Sequence, residues 1–288
     1  MSSIDQVIQP KPKDIGNQFF VQRALPIVGR KMVGPFVFWD HMGPVDIDKD
    51  RLMSVRAHPH IGLATITYLF TGEIIHRDSL GNEQAILPGE VNWMTAGRGI
   101  VHSERSAPDA KHTLEGIQLW VALPPGSVNV EPSFVHQKEQ DLPLIEQGDW
   151  QLRLIAGSAL GEVSPLPVYS SLFYMEAHSE PGGPLSLDVP ADSEAAIYVI
   201  EGTIEVEDQS YGSKSMIVMK PGESIQINGA ANSRIMLLGG EIFEKKPSVW
   251  WNFVAYDSQT MNQAKQMWRS NEFPDVVNEE ERIPLPEE

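Results

Sequence analysis

Cysteine is absent from this chain of 288 residues. The absence excludes disulfide bonds, zinc ribbons, iron–sulfur clusters and a thiol nucleophile. It does not itself favour a metal site. Any metal ion bound by this chain must therefore use histidine and carboxylate ligands.

Positive charge is also scarce. The chain has 22 Lys and Arg residues against 39 Asp and Glu residues, which gives a formal net charge of −17 at pH 7. A protein that binds DNA or RNA directly needs a basic face to contact the phosphate backbone. We therefore expect no direct nucleic-acid partner.

Long hydrophobic runs are missing as well. No stretch approaches the roughly 18 consecutive apolar residues that a membrane-spanning helix needs. Residues 1–18 also lack the apolar core of a secretory signal peptide. We therefore expect no membrane partner and, by default, a cytoplasmic location.

Glycine and proline, in contrast, are frequent, with 23 and 22 copies, and they separate short apolar segments. In residues 116–123 the aliphatic side chains fall at every second position, which is typical of a β-strand. Branched and aromatic residues are similarly concentrated in residues 65–70, 196–200, 203–206 and 216–219. Many short strands with frequent turns predict an all-β sandwich or barrel.

A faint internal repeat predicts two domains. Tyr68–Ile74 and Tyr198–Ile204 each contain an apolar strand that turns at a glycine, and each precedes a Pro-Gly-Glu turn. The copies lie about 130 residues apart, which favours duplication over the chance recurrence of Pro-Gly turns. We predict domains over residues 1–135 and 136–288. The second range includes an acidic tail and a helix over 258–269, with Ser258 as a candidate N-cap.

Three histidines and one glutamate form a candidate metal site. His58 and His60 are separated by one residue, and His102 and Glu104 repeat this spacing about 40 residues downstream. Alternate side chains of a strand share a face, so two such strands can direct four ligands to one ion. Three neutral imidazoles and one carboxylate suit iron, copper, manganese or nickel, and they leave one or two coordination positions open. An isolated His-x-His pair is usually incidental, but the second pair favours a metal site.

Three longer motifs resemble the pirin family. They are GPFVFWDHMGP at residues 34–44, HPHIG at 58–62 and NWMTAGRGIVHSE at 92–104. The resemblance continues more loosely to the WNFV motif at residues 251–254. Pirins belong to the cupin superfamily, so the resemblance implies two cupin (double-stranded β-helix) barrels in one chain, with a short C-terminal helix.

The resemblance also implies a metal and an activity. The family's metal ligands fall on His58, His60, His102 and Glu104, with Fe(II) as the favoured ion and copper, manganese, nickel or zinc as alternatives. Several pirins show quercetin 2,3-dioxygenase activity, which implies a flavonol substrate, dioxygen as co-substrate and release of carbon monoxide. In this reaction the flavonol 3-hydroxyl group would bind the ion, and Glu104 would act as the catalytic base.

Two other functions remain open. Animal pirins are regarded as iron-dependent regulators of transcription factors, so the first alternative is a non-enzymatic redox sensor that acts through a protein partner. The second is a storage or structural cupin with a vestigial metal site.

Two positions beside the first histidine pair depart from the family pattern. Many pirins carry glutamate at the position of Ala64, and arginine is frequent at the position of Ile61. Neither position supplies a metal ligand, so we expect an intact metal site with an altered pocket beside it. We predict that Ile61, Leu63, Ala64 and Trp93 line the substrate pocket.

The second half of the chain lacks the ligand pattern. Equal spacing from the repeated turns places Asp188, Pro190 and Ile235 where the first half has its three histidines. We therefore expect the second barrel to bind no metal. The segment His76–Asp78 is interpreted as a solvated hairpin, with a hydrogen-bonding network behind the metal ligands as the alternative.

Overall fold

The computed structural model describes residues 2–16, 18–48, 51–107 and 109–287. β-strands account for most of the regular structure, which confirms the predicted all-β fold. The chain divides into two compact units. The N-barrel comprises Pro12–Arg23, Val37–Glu139 and Glu244–Glu288, and the C-barrel comprises Met1–Lys11, Ala24–Phe36 and Gln140–Phe243. The N-barrel thus includes the C-terminal segment of the chain, and the C-barrel includes the N-terminal segment. The predicted ranges 1–135 and 136–288 do not describe this exchange.

The strands are numbered in chain order over the described residues. Those of the first half of the chain are β1 (Ile4–Ile8), β2 (Lys11–Asp14), β3 (Phe20–Leu25), β4 (Phe36–Ile47), β5 (Ser54–His60), β6 (Leu63–Thr71), β7 (Ile74–Asp78), β8 (Glu83–Ile86), β9 (Val91–Thr95), β10 (Ile100–Arg105), β11 (His112–Ala122) and β12 (Ser133–Gln137). Those of the second half are β13 (Leu144–Gln147), β14 (Trp150–Ala159), β15 (Glu162–Val163), β16 (Leu172–Ser179), β17 (Gly183–Leu187), β18 (Ser193–Glu201), β19 (Thr203–Val206), β20 (Gln209–Gly212), β21 (Met216–Met219), β22 (Ile225–Gly229), β23 (Ser233–Glu241), β24 (Ser248–Trp250) and β25 (Phe253–Ala255). The helix α1 spans Ser258–Arg269.

Each barrel is built from two sheets with corresponding strand orders. In the N-barrel the orders are β12-β9-β6-β11-β4-β3-β2 and β5-β10-β7-β8. In the C-barrel they are β1-β21-β18-β23-β16-β14-β13 and β17-β22-β19-β20. The correspondence confirms the predicted repeat and the two cupin barrels. The outer strand beside β9 is β12, near the end of the range Val37–Glu139, whereas the equivalent strand beside β21 is β1, close to the N-terminus.

The helix predicted over residues 258–269 is confirmed, but its N-cap is Asp257 rather than Ser258. Asp257 has an extended backbone, and its carboxylate accepts a hydrogen bond from the Thr260 amide at 2.7 Å. This is the geometry of an N-cap, whereas Ser258 is already helical. Among the described residues, no helix has the length and apolar character required to cross a lipid bilayer.

Apolar side chains fill the interior of the C-barrel. The strands that correspond to β5 and β10 are β17 and β22, and they contribute Leu185, Leu187, Ile225 and Ile227 to this core. The three positions that spacing predicted to be equivalent to the histidines are therefore wrong. Asp188 and Pro190 lie beyond β17, and Ile235 lies on β23. The connecting segments of the two barrels differ in length, so equal spacing does not select equivalent positions.

The C-terminal segment packs against the two strands that carry the histidine pairs. Its apolar side chains form one buried cluster with residues of β5 and β10 and with Ile61, which follows β5. The cluster comprises Ala57, Ile61, Val101, Phe253, Ala255, Met261, Ala264, Trp268, Phe273 and Val276. The Ile283 amide donates to the Ala57 carbonyl at 2.9 Å, and Glu279 accepts from the Ser103 hydroxyl at 2.9 Å. These contacts hold β5 and β10 in place from outside.

Gly62 is a position at which this packing excludes any side chain. It joins β5 to β6 with φ +69°, and a Cβ atom there would lie 2.1 Å from the Val254 carbonyl oxygen. We expect Gly62→Ala to lower the free energy of unfolding by about 3 kcal/mol or more, measured by urea denaturation. Gly81→Ala is the matched control, because Gly81 has φ +89° but a Cβ atom added there would have no other atom within 4 Å. It should cost only about 1–2 kcal/mol, which is the cost of the backbone conformation alone, and equal losses for both variants would contradict the steric argument.

Candidate metal centre

Strand pairing brings the three predicted histidines together. β5 and β10 are antiparallel neighbours with His58 opposite His102, and the register shifts between His102 and Glu104. His58, His60 and His102 are buried, and one potential ligand atom from each lies within 4.8 Å of the others. Among the described residues, this is the group that meets that criterion. Glu104 is not part of it but lines the same cavity.

Backbone carbonyls fix the orientation of two of these rings. His58 Nδ1 lies 2.8 Å from the Arg56 carbonyl oxygen, and His60 Nδ1 lies 3.1 Å from that of Asn252. A carbonyl oxygen only accepts hydrogen bonds, so both Nδ1 atoms carry the proton in neutral rings. The lone pairs on Nε2 are therefore left for the centre of the site.

The donor set fits a divalent transition-metal ion. Burial lowers the pKa of His58 to about 4, and it lowers the pKa of His60 and His102 well below the ordinary value. The rings are thus neutral near pH 7, which is the form that binds metals. His60 Nε2 and His102 Nε2 lie 3.1 Å apart, and two facing lone pairs at this distance repel unless a proton or cation lies between them.

Behind His102 lies a second buried pair, which corrects the interpretation of His76–Asp78 as a solvated hairpin. His76 and Asp78 are only 3% and 1% exposed, and they face inward from β7 while Arg77 faces outward to Glu83. His76 Nδ1 is 3.4 Å from His102 Nδ1, and His76 Nε2 is 3.0 Å from Asp78 Oδ2. In the sequence, the alternation of side chains along β7 could have indicated this arrangement, because it places His76 and Asp78 on one face and Arg77 on the other.

Glu104 is the buried carboxylate beside the histidines. It is 5% exposed, and its Oε1 accepts a hydrogen bond from the Thr67 hydroxyl at 2.9 Å. Burial raises the pKa of Glu104, although nearby His76 and the Thr67 hydrogen bond oppose the shift. A carboxylate with a raised pKa is a stronger base than one in water.

The histidines and Glu104 line a cavity of about 330 Å³. One wall is an aromatic stack in which the Phe38 and Trp120 rings are 3.9 Å apart and almost parallel. Trp120 and His60 are in edge-to-face contact, with 5.1 Å between ring centres. The Arg23 guanidinium lies 4.4 Å from the centre of the Phe38 ring, where Asp40 holds it with hydrogen bonds of 2.8 and 2.6 Å. This wall suits a flat, mostly apolar ligand.

The comparisons with known proteins agree with this architecture. The sequence matches the family Pirin over residues 18–121 and the family Pirin C-terminal cupin domain over residues 174–274. A pirin-like protein of Caulobacter vibrioides is 45% identical over 292 residues, which cover 99% of this chain and 100% of that protein. The chain belongs to the pirin family.

Solved structures extend the comparison. The crystal structure of a quercetin 2,3-dioxygenase from Acinetobacter baumannii matches this pirin with a TM-score of 0.92 and 32% identity, covering 98% of this chain and 94% of that one. A bacterial pirin from Escherichia coli, crystallised in complex with nickel(II), matches with a TM-score of 0.66 and 17% identity over 82% of this chain and 99% of that one. The second match shows the shared fold alone.

Four residues predicted to contact substrate lie elsewhere in this pirin. Among the described residues, the lining of the cavity does not include Ile61, Leu63, Ala64 or Trp93. Ile61 packs in the cluster formed with the C-terminal segment, and the Trp93 indole donates to the Thr95 hydroxyl at 2.9 Å. Leu63 and Ala64 are fully buried in β6.

The alternation of β6 explains the correction at Ala64. Successive side chains of a strand point to opposite faces, and Thr67 contacts Glu104. Ala64 is three residues from Thr67, so it points to the face away from the metal site. Arg23, Phe38, Asp40 and Trp120 form the wall instead.

We accordingly expect Ala64→Glu to destabilise the protein rather than to block a ligand. Ala64 is 0% exposed and lies on β6, which pairs with β9 and β11, so a carboxylate introduced there would be removed from water. The loss in free energy of unfolding should be about 3–5 kcal/mol, measured by thermal or urea denaturation. Ala231→Glu, at an exposed alanine, is the control and should change stability by less than about 0.5 kcal/mol. Equal stability of the two variants would reinstate Ala64 as a pocket residue.

Proposed function

We propose that this pirin is a metal-dependent dioxygenase that opens the ring of a flavonol such as quercetin with dioxygen and releases carbon monoxide. The observation that carries the proposal is the convergence of three buried, neutral imidazoles on a cavity with an aromatic wall. The likeness to the quercetin 2,3-dioxygenase of A. baumannii, at 32% identity over 98% of the chain, supports the reaction class.

The proposed ligands of one divalent ion are His58, His60, His102 and Glu104. Fe(II) is the favoured ion in this proposal, and copper, manganese, nickel and zinc are the alternatives to be tested. When bound, such an ion supplies Lewis-acid polarisation of a substrate hydroxyl group. The histidines supply neutral Nε2 donors, and Glu104 reaches the same cavity from β10.

Glu104 acts as the base in this proposal. Its Oε1 accepts a hydrogen bond from the Thr67 hydroxyl at 2.9 Å, which anchors that oxygen. Oε2 would then accept the proton of the flavonol 3-hydroxyl group, provided that the bond between Glu104 and the ion loosens. Burial raises the pKa of Glu104 in the metal-free fold, and a bound cation would lower it again.

The aromatic wall binds and orients the substrate. A flavonol is a flat, rigid molecule, and Phe38 and Trp120 present parallel rings beside His60. The cavity of about 330 Å³ is within the range of small-molecule sites, at its lower end, so the bound ring system displaces most of the water. This places the reacting ring against the histidines and Glu104.

The proposal is tested by oxygen uptake. Protein purified without added ions is analysed for metal, loaded separately with each candidate ion, and mixed with quercetin while oxygen consumption and carbon monoxide are measured. We expect both signals with quercetin and neither with a flavone that lacks only the 3-hydroxyl group. Absence of oxygen uptake with any flavonol in metal-loaded protein would overturn the proposal and favour a redox regulator that acts through a protein partner.

A further inference from the structure

His76 is a buried side chain that the proposed reaction does not use. It lies on β7, the neighbour of β10, and its two ring nitrogens both face buried polar groups. Nδ1 is 3.4 Å from His102 Nδ1, and Nε2 is 3.0 Å from Asp78 Oδ2. His102, His76 and Asp78 thus form a chain of hydrogen bonds that ends at the candidate metal centre.

The direction of this chain follows from its acidic end. A carboxylate only accepts hydrogen bonds, so the nitrogen of His76 that faces Asp78 carries a proton. In a neutral His76 ring the other nitrogen, Nδ1, is then an acceptor, and His102 must donate to it from its own Nδ1. The lone pair of His102 is thereby assigned to Nε2, which faces His60 Nε2 at 3.1 Å.

Asp78 and His76 are both held rigidly. Asp78 Oδ1 accepts from the Leu80 amide at 2.9 Å and the Asn82 amide at 3.2 Å, in the turn between β7 and β8. The Asn82 side chain donates to both carboxylate oxygens. Phe134 stacks on the His76 ring at 4.4 Å and 15°, which prevents the ring from rotating freely.

We propose that His76 is a positioning residue which, with Asp78, holds His102 in the tautomer whose Nε2 binds the metal ion. The inference rests on the ligand role proposed above for His102. His58 and His60 obtain the same constraint from the backbone carbonyls of Arg56 and Asn252. Of these three histidines, His102 is therefore the one whose tautomer depends on a side chain, and that side chain can be substituted.

Two measurements test the inference, and neither requires turnover. The first is the tautomer of His102 in protein loaded with Zn(II), which is diamagnetic, observed by nitrogen-15 NMR of labelled histidine. The second is the affinity for Fe(II), Mn(II) and Ni(II), measured by competition with a chelator. Thermal unfolding of each variant, together with its circular dichroism spectrum, verifies that it is folded.

His76→Phe removes both hydrogen bonds while keeping a flat ring against Phe134. We expect it to release the tautomer of His102 and to lower metal affinity by about 10–100-fold, the usual effect of losing the hydrogen-bond partner of a metal ligand. His76→Asn keeps an acceptor near the position of Nδ1 and should recover most of the affinity. His178→Phe, at a partly buried histidine of the C-barrel, is the matched control and should leave the affinity unchanged.

Two results would overturn the inference. One is a wild-type NMR spectrum in which His102 carries its proton on Nε2, a result that stands even if His76→Phe does not fold. The other is a folded His76→Phe variant with unaltered metal affinity. Failure of the proposed function is a separate outcome, because it appears as metal-loaded wild-type protein that does not consume oxygen with flavonols.

Discussion

Replacing His58 and His102 together by alanine is expected to abolish stable metal binding. The two side chains lie opposite each other on β5 and β10 and supply two of the four proposed ligands. Complete four-ligand sites can bind with about 10–16 kcal/mol. Loss of half the ligands should therefore cost roughly 5 kcal/mol or more, which is over 10³-fold in affinity.

Elemental analysis of purified protein measures this effect. The unmodified chain should hold about one ion, because the C-barrel fills the strands that correspond to β5 and β10 with leucine and isoleucine side chains. The matched control replaces His136 and His178 by alanine, since these two partly buried histidines lie outside the lining of the cavity. Two tightly held ions in the wild type, or retention of metal by the His58 and His102 variant, would contradict the prediction.

The candidate metal ligands could be found from the sequence because they depend on local geometry. A spacing of two residues on a strand places His58 and His60 on one side, and the same holds for His102 and Glu104. Pairing of the two strands then completes the arrangement. The helix over 258–269 was predictable for the same reason, since its signals are confined to one short segment.

The cavity wall could not be found in this way. Arg23, Phe38 and Trp120 come from β3, β4 and β11, and nothing in the sequence distinguishes them from the other residues of their strands. Asn252 contributes through its backbone carbonyl, which has no signature in the sequence. Ala64 was placed in the pocket because it is close to His60 in sequence. The chain turns at Gly62 between them, so the alternation of side chains along β6 decides which of its residues face the site.

Glu104→Gln is expected to abolish proton transfer while leaving the three histidine ligands in place. Glutamine has almost the same shape, and its amide oxygen can still accept the hydrogen bond that Thr67 donates to Glu104 at 2.9 Å. It cannot take up a proton at neutral pH, so the rate of flavonol oxidation should fall by about 10²–10⁴-fold. Burial raises the pKa of Glu104, which means that the charged carboxylate is disfavoured in the metal-free fold. The metal-free variant should therefore unfold at the same temperature as the wild type or at a higher one near pH 7.

The measurement compares oxygen uptake with quercetin at equal, verified metal occupancy, because the loss of a proposed ligand also weakens binding of the ion. Thr67→Val is the matched control: it removes the hydrogen bond to Oε1 but leaves the carboxylate able to accept a proton. We expect roughly a tenfold loss of rate for this variant, the lower end of the 1.5–3 kcal/mol that one hydrogen bond to a charged group contributes, because the carboxylate itself remains. A Glu104→Gln variant that is loaded with metal and oxidises quercetin at the wild-type rate would remove Glu104 from the role of base. The proton of the 3-hydroxyl group would then have to leave by another route.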